Sequence, residues 1–210
     1  ENAQDRMTGH ECFRVMVEEA LGVPVKLFTP ADYDGVIQGL VGGTLDFGWL
    51  GASAYAKVYL ADPNAVEPFL TNVQTDGSTG YYSIAFARKD SGITKLEEAK
   101  GKVFAFAEPN STSGYLVPAA EMTGTFGPLD QYFSEVKFSG GHEQTIVGVA
   151  NGDFVAGVSW ADGLGNWEDG YNSGAFRKAA DAGLVDMNDL VELWKSKLIP
   201  EGPMVVRAAL

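Results

Sequence analysis

The sequence predicts an α/β fold, because helical and extended patterns alternate along the chain. Apolar residues recur at helical spacing over 11–21, and Gly22 then ends this pattern. Apolar and polar residues alternate over 23–27, as they do in a strand with one buried face. This alternation of helix and strand favours helices packed on a mostly parallel sheet. With 210 residues, of which 45% are hydrophobic, the chain suffices for one large domain or two small lobes.

The other elements follow from the same periodicities and from the turn residues between them. The predicted helices cover 11–21, 32–40, 53–60, 96–100, 115–122 and 143–150. The predicted strands cover 23–27, 45–50, 81–88, 103–107, 136–138, 154–160, 189–194 and 204–207. Ser53 is the expected N-cap of the third helix, since its hydroxyl can accept an unpaired backbone N–H. Two turn-rich segments, 75–80 and 197–203, are suited to carry the chain from one lobe to the other and back.

Charge and residue counts exclude several classes of function. The chain has 15 Lys and Arg against 28 Asp and Glu, a net charge of −13, whereas nucleic acids and anionic membranes require a positive surface. The single cysteine, Cys12, allows no internal disulfide, and two histidines are too few for a multi-histidine zinc centre. No apolar run reaches the roughly 20 residues of a membrane-spanning helix. We therefore expect no nucleic-acid partner, no direct membrane insertion and no cofactor.

The strongest chemical signal is the segment 108–114, which joins the predicted strand 103–107 to a helix. It contains three consecutive hydroxyl residues, Ser111, Thr112 and Ser113, and ends in a glycine. A helix N-terminus presents unpaired N–H groups and about half a positive charge. Hydroxyls there add donors, so the segment is suited to bind a tetrahedral oxyanion without a cation. A simple N-cap would explain one of these hydroxyls but not three.

Two further segments that follow strands carry similar chemistry. In 139–142 two glycines allow close approach of a ligand, and His142 can donate a ring N–H to an anion. In 160–163 Asp162 can accept a hydrogen bond from a protonated ligand oxygen or pair with an ammonium group, and Trp160 can line one side of the binding cleft. The alternatives are a solvated histidine, an N-cap aspartate and a core tryptophan. Parallel strands end at a common edge of a sheet, where α/β proteins bind ligands, so we expect 108–114 and 139–142 to meet there.

Ser113, His142 and Asp162 also have the composition of a hydrolase triad. The Gly-x-Ser-x-Gly turn is absent, and a serine at a helix N-terminus is placed to bind an anion rather than to attack a carbonyl. The P-loop segment is absent too, and no Gly-x-Gly-x-x-Gly segment follows the first strand. The sequence therefore predicts binding without catalysis, and hydrolysis of a phosphate ester in the same oxyanion pocket is the alternative.

The segments 109–118 and 138–143 resemble the signature segments of the PhnD-like periplasmic substrate-binding proteins of phosphonate ABC transporters. Supporting matches lie at 31–39, 46–51, 76–83 and 194–200, in the order of the family. The resemblance implies a two-lobed periplasmic binding protein fold of the type II kind, with the ligand in the cleft between the lobes. It assigns residues 1–80 with 200–210 to lobe 1, and residues 81–199 to lobe 2.

The resemblance also implies a function and a set of ligand contacts. We expect the protein to bind a phosphonate, or the related oxyanions phosphite or phosphate, and to deliver it to an ABC permease for uptake. This implies a periplasmic location, with a leader peptide that is not part of this chain. The implied ligand contacts are Tyr33, Tyr81, Ser111, Thr112, Ser113, His142 and Asp162. Hydroxyls, N–H groups and the histidine hold the oxyanion, the tyrosines line the cleft, and the aspartate faces a ligand amino group. A binder of a different small anion with the same fold is a further alternative.

The chain departs from the family pattern in two respects. The position of a second amine-facing carboxylate is Gly202, with Glu201 beside it. This loss favours a ligand smaller than 2-aminoethylphosphonate, such as methylphosphonate, phosphite or phosphate, and Gly202→Asp is expected to raise the affinity for the aminated ligand. The chain also begins near the first helix of the family and ends soon after Arg207, so we expect segments of lobe 1 to lie outside it.

Overall fold

Two β-sheets, each with helices packed against it, form the two lobes of the protein. The structure is a computed structural model that describes residues 3–210. The helices are α1 (Ala3–Leu21), α2 (Tyr33–Val41), α3 (Ala52–Ala61), α4 (Val117–Phe126), α5 (Leu129–Tyr132), α6 (His142–Asn151) and α7 (Ala175–Asp181). The strands are β1 (Phe47–Trp49), β2 (Val66–Thr71), β3 (Gly80–Arg88), β4 (Val103–Phe106), β5 (Glu135–Phe138), β6 (Ala156–Ala161), β7 (Leu190–Lys195), β8 (Ile199–Pro200) and β9 (Pro203–Arg207). Within 3–210, no helix has both the length and the apolar character that crossing a bilayer requires.

The small lobe is built on a three-stranded sheet with the order β1-β9-β2, in which both pairings are antiparallel. Helices α2 and α3 pack on this sheet and bury an apolar core with it. The buried core residues are Ile37, Leu40, Leu50, Ala54, Val58, Val66 and Val205. Since β9 lies near the end of the chain and the other elements lie near its start, the chain must cross between the lobes twice.

The large lobe is built on a six-stranded mixed sheet with the order β5-β4-β6-β3-β7, in which β8 pairs with the start of β3. Side chains of the central strand β3 point alternately to the two faces. Ile84 and Phe86 pack in one apolar core together with Phe176 of α7. Ala85 and Ala87 pack in a second core on the opposite face. Because both faces are covered, β3 is buried along most of its length.

The two crossings between the lobes lie side by side. Gly80 at the start of β3 pairs antiparallel with Pro200 of β8. These residues belong to the segments 75–80 and 197–203, where the turn residues predicted the crossings. The residue limits given above for lobe 1 and lobe 2 stay a prediction.

Parallel pairing in the described sheets is confined to the neighbouring strands β5, β4 and β6. The prediction of a mostly parallel sheet, which came from the alternation of helix and strand, is therefore wrong. β3 runs opposite to its neighbours β6 and β7, because it carries the chain from the small lobe into the large one. The three parallel strands still end at one common edge, which is the property that the site requires.

Most predicted elements are confirmed with bounds that shift by a few residues, and the exceptions have local causes. Residues 23–27 form no strand, since they pair with no strand of the described chain. The next predicted strand is shortened to β1 and is only partly buried. Gly51, not Ser53, is the N-cap of α3. Ser53 lies in the first turn of the helix, and its N–H donates to the side chain of Thr112. The helix predicted at 96–100 is a turn of 3₁₀ helix.

Candidate functional site

The segments that follow β4 and β5 lie together at one edge of the large sheet, as predicted. The Ser139 N–H donates to the Phe106 carbonyl at 2.9 Å. The Gly140 N–H donates to the Ala107 carbonyl at 3.0 Å. These bonds tie the segment after β5 to the end of β4, and α6 begins immediately afterwards at His142. The hydroxyl-rich segment after β4 and the N-terminus of α6 therefore face the same space.

Ser111 and His142 link the two segments directly. The Ser111 Oγ accepts a hydrogen bond from the Gly114 N–H at 2.9 Å and lies 3.1 Å from the His142 Nε2. The His142 Nδ1 lies 3.2 Å from the Ser159 Oγ of β6. A side chain at Gly114 would not fit, because its Cβ would lie 2.6 Å from the Ala107 Cβ and 3.0 Å from the His142 Cε1. The glycine thus allows the serine and the histidine to approach each other.

The histidine contributes hydrogen bonds to the site without contributing a charge. Burial, with a smaller contribution from the positive charge of Lys178, lowers the pKa of His142 from 6.5 to about 4. The imidazole is therefore neutral at pH 7, and one ring nitrogen donates while the other accepts.

We expect this partly buried histidine, whose ring is desolvated, to make the protein less stable as the pH falls. Between pH 6.5 and about 4 the unfolded chain takes up a proton at His142 and the folded chain does not, so the free energy of unfolding decreases. The decrease due to this residue is on the order of 3 kcal/mol. Urea unfolding of the wild type and of His142→Asn at pH 7 and pH 4 measures it, because the other titrating groups cancel between the two proteins. An equal decrease in both proteins would contradict the assignment.

Thr112 and Ser113 are buried, with 4% and 3% of their surface exposed. The Thr112 Oγ1 accepts a hydrogen bond from the Ser53 N–H of α3 at 2.9 Å, so this hydroxyl contacts the small lobe. The Ser113 carbonyl accepts from the Ser83 Oγ of β3 at 2.7 Å, which fixes the segment on the large sheet. The hydroxyl segment therefore lies where the two lobes meet.

The side chains of Ser111, Thr112, Ser113 and His142 form a cluster of hydrogen-bonding groups, and two tyrosine hydroxyls extend it. Burial raises the pKa of Tyr81 to about 12, and hydrogen bonds with Ser113 and Thr112 oppose part of this rise. Burial also raises the pKa of Tyr33, whose hydroxyl hydrogen-bonds with Ser111. Both tyrosines are therefore protonated at neutral pH and can donate.

An aromatic contact closes one side of this cluster. The Tyr81 ring meets the Trp160 ring edge to face, with the ring centroids 5.7 Å apart and an angle of 83° between the planes. Such contacts fix the orientation of both rings.

Six of the seven residues that the sequence singled out are thus brought together. They are Tyr33, Tyr81, Ser111, Thr112, Ser113 and His142. All six are neutral at pH 7 and all can donate hydrogen bonds, and several backbone N–H groups lie beside them. This arrangement suits an oxyanion, because charged oxygens form the strongest hydrogen bonds with such donors.

The structure pairs Asp162, the seventh residue, with its own loop. Only 3% of Asp162 is exposed, and its Oδ1 accepts from the Leu164 N–H at 3.1 Å. Its backbone N–H donates to the Ser173 carbonyl at 2.9 Å. The carboxylate therefore stabilises a turn after β6 rather than the N-terminus of a helix. Its contact with a ligand stays a prediction.

The hydrolase arrangement considered for Ser113, His142 and Asp162 is not formed. The ring nitrogens of His142 contact Ser111 and Ser159 instead. The hydroxyl beside the histidine is also the cap that receives the Gly114 N–H, which suits binding rather than attack. Among residues 3–210, no group of three His, Cys, Asp or Glu side chains could hold a metal ion.

The loop between β8 and β9 explains why the second carboxylate is missing. A Cβ at Gly202 would lie 1.8 Å from the Leu50 carbonyl oxygen, so only glycine fits there. The structure therefore contradicts the expectation that Gly202→Asp could supply a carboxylate. The neighbouring Glu201 accepts from the Gln74 Nε2 at 2.6 Å, and burial raises its pKa. Its negative charge also contributes to the raised pKa of Tyr81.

The sequence missed five residues at the junction of the lobes. They are Asp34, Ser53 and Lys57 of the small lobe, and Glu108 and Asn110 of the large lobe. Asn110 lies within the segment 108–114 and could have been found there. Glu108 lies in the same segment, and Ser53 was expected only as an N-cap. Their contacts across the lobes carry no local signal, because they join residues more than 50 positions apart.

Comparison with known proteins gives one consistent family. The family described as "ABC transporter, phosphonate, periplasmic substrate-binding protein" matches residues 1–210. The "Phosphonates-binding periplasmic protein" of Escherichia coli is 33% identical over an alignment of 198 residues that covers 91% of this chain and 53% of that protein. The "Phosphate-import protein PhnD" of Mycolicibacterium smegmatis is 28% identical over an alignment of 212 residues that covers 95% of this chain and 61% of that protein. The chain thus spans somewhat more than half the length of these relatives.

The fold agrees with a solved structure. A binding protein component of an ABC phosphonate transporter from Pseudomonas aeruginosa superposes with a TM-score of 0.85 at 29% identity. The match covers 100% of this chain and 66% of that protein. The two-lobed architecture predicted from the sequence is therefore confirmed.

Proposed function

Because the chain belongs to the periplasmic substrate-binding proteins of phosphonate ABC transporters, we propose that it captures a phosphonate or a related phosphorus oxyanion. In this proposal an ABC permease receives the ligand for uptake, and the protein works in the periplasm, the location that its family implies. The observation that carries the proposal is the buried cluster of neutral donors described above. A tetrahedral PO₃ group between the lobes would meet hydroxyls from both sides of the cleft.

Hydrogen bonds of this kind are strong enough for the task. A net contribution of about 1.5–3 kcal/mol is typical where one partner is charged. Several such bonds in a cleft that excludes water suffice for a micromolar complex, which corresponds to about −8.2 kcal/mol. We assign the oxyanion contacts to Ser111, Thr112, Ser113 and His142, with Tyr33 and Tyr81 as further donors.

The fourth substituent on phosphorus is proposed to be small. Phosphate and phosphonates, for which the two relatives are named, share the same PO₃ group. Gly202 excludes a second carboxylate that would hold an amino group. Asp162 would accept a hydrogen bond from a P–OH group, and it would repel a fully ionised oxygen at that position.

Titration calorimetry with methylphosphonate, phosphite, phosphate and 2-aminoethylphosphonate tests this proposal. We expect one-to-one binding, micromolar or tighter, for at least one of the first three. The aminated ligand should bind more weakly by about tenfold or more, because one charge-assisted contact is missing. Sulfate is the control for a tetrahedral anion that carries no proton at pH 7. Binding of none of the four phosphorus compounds would contradict the proposed function.

The same preparation tests the enzyme alternative. A hydrolase would turn over a chromogenic phosphate ester, and Ser113→Ala would abolish the turnover. The absence of the triad geometry leads us to expect no turnover above the rate in buffer.

A further inference from the structure

The two lobes contact each other directly through the loop 108–112. The Tyr33 N–H at the start of α2 donates to the Glu108 Oε2 at 3.2 Å. The Ser53 N–H in the first turn of α3 donates to the Thr112 Oγ1 at 2.9 Å. These contacts join the first turns of two helices of the small lobe to one loop of the large lobe.

Asn110 makes the third connection, and it reaches both helices at once. Its Nδ2 donates to the Asp34 Oδ1 of α2 at 2.7 Å, and its Oδ1 accepts from the Lys57 Nζ of α3. Only 4% of Asn110 is exposed. An amide carries a donor and an acceptor a short distance apart, so it can bridge a carboxylate and an ammonium group. Aspartate or leucine, the residues of similar size, would lose one or both of these bonds.

The side chain of Asn110 is thus committed to the small lobe and not to the cluster. Its Nδ2 donates to a carboxylate and its Oδ1 accepts from an ammonium group, which fixes the orientation of the amide. Hydrogen bonds to charged partners are stronger than neutral ones. Asn110 itself is buried, whereas Asp34 and Lys57 are exposed.

We propose that Asn110 of the large lobe is a positioning residue that holds the lobes together by bonding to both Asp34 and Lys57 of the small lobe, and that it thereby sets how long a bound ligand is retained. The part that concerns retention rests on the proposed function. A ligand enclosed between two lobes leaves only when they separate, so every contact that favours the closed arrangement lowers the dissociation rate. The same contact changes the association rate little, because the ligand enters before the lobes meet.

The test exchanges the amide and the carboxylate across the gap between the lobes. Asn110→Asp places two carboxylates opposite each other. Combining it with Asp34→Asn restores one donor and one acceptor, with their roles reversed, and leaves a carboxylate for Lys57. Asn188→Asp is the matched control, since the Asn188 Nδ2 donates to the Asp186 Oδ1 at 3.0 Å within a single lobe. Stopped-flow dissociation of methylphosphonate or inorganic phosphate, whichever the wild type binds, is the readout.

We expect Asn110→Asp to speed dissociation by about tenfold or more, and the double variant to return it to within about twofold of the wild type. The control variant, Asn188→Asp, should leave the dissociation rate unchanged. Unchanged dissociation in Asn110→Asp, or no recovery in a folded double variant, would overturn the inference. If Asn110→Asp does not fold, Asp34→Ala at the exposed end of the same bond should speed dissociation in the same direction, and an unchanged rate there would also overturn it.

Small-angle X-ray scattering without added ligand separates this inference from the proposed function. The radius of gyration should be larger in Asn110→Asp than in the wild type, and it should return in the double variant. If the wild type binds none of the four phosphorus compounds, the proposed function fails. If the radius does not respond to the exchange, the bridging role of Asn110 fails.

Discussion

Replacing Ser111 with alanine is expected to weaken the binding of methylphosphonate by roughly 10²-fold, measured by titration calorimetry. Ser111 contributes in two ways. In the proposed site its hydroxyl donates to the oxyanion, and its Oγ accepts a hydrogen bond from the Gly114 N–H. Loss of this cap costs about 1 kcal/mol of stability in addition. Thermal unfolding of the same variant separates the two effects.

Ser91→Ala is the matched control for Ser111→Ala. The Ser91 Oγ also accepts a nearby backbone N–H, that of Ile93 at 3.3 Å, in an exposed turn of the large lobe. We expect this variant to bind methylphosphonate as the wild type does. If Ser111→Ala bound the ligand as tightly as Ser91→Ala, the oxyanion would not lie at the segment after β4.

Gly202→Ala is expected to destabilise the protein by about 3 kcal/mol or more, because overpacking against rigid atoms is costly. The added Cβ would lie 1.8 Å from the Leu50 carbonyl oxygen and 2.7 Å from the Gly51 Cα. Both neighbours are backbone atoms, so they cannot rotate away as a side chain would. The chain that joins β8 to β9 must move instead, and the second crossing between the lobes moves with it.

Urea unfolding measures this loss, and Gly124→Ala is its control. Gly124 lies within α4, and no atom outside its own helix lies within 4 Å of the position of a Cβ. Alanine there is expected to leave the stability unchanged or to raise it by up to about 1 kcal/mol. A wild-type unfolding midpoint for Gly202→Ala would show that the contact with Leu50 is looser than the structure has it.

The part of the site that follows parallel strands could be predicted from the sequence. Ser111 and His142 are 31 positions apart, yet strands β4 and β5 are parallel neighbours, so the segments that follow them had to meet. Tyr33 and Tyr81 have no such local signal, and only the resemblance to the family brought them into the site. Their neighbours in space come from both lobes, and no periodicity in the chain records that.

The errors in the predicted secondary structure have a similar cause. β2 contains Pro68 and is mostly exposed, so neither alternation nor an apolar run marks it as a strand. It forms because it pairs with β9, which is more than 130 positions away in the chain. Residues 23–27 show the opposite case, an alternating pattern without a partner strand in the described chain. Helix α7 was missed because its seven residues are too few for a clear period.

The most direct test of the account is a titration of ¹⁵N-labelled protein with methylphosphonate, followed by NMR. We predict that the amide resonances of Thr112, Ser113 and Gly114 and the ring nitrogens of His142 shift together and saturate at one equivalent of ligand. Binding with shifts confined to other parts of the molecule, or with the His142 ring unaffected, would contradict the claim that the two segments bind one phosphorus oxyanion.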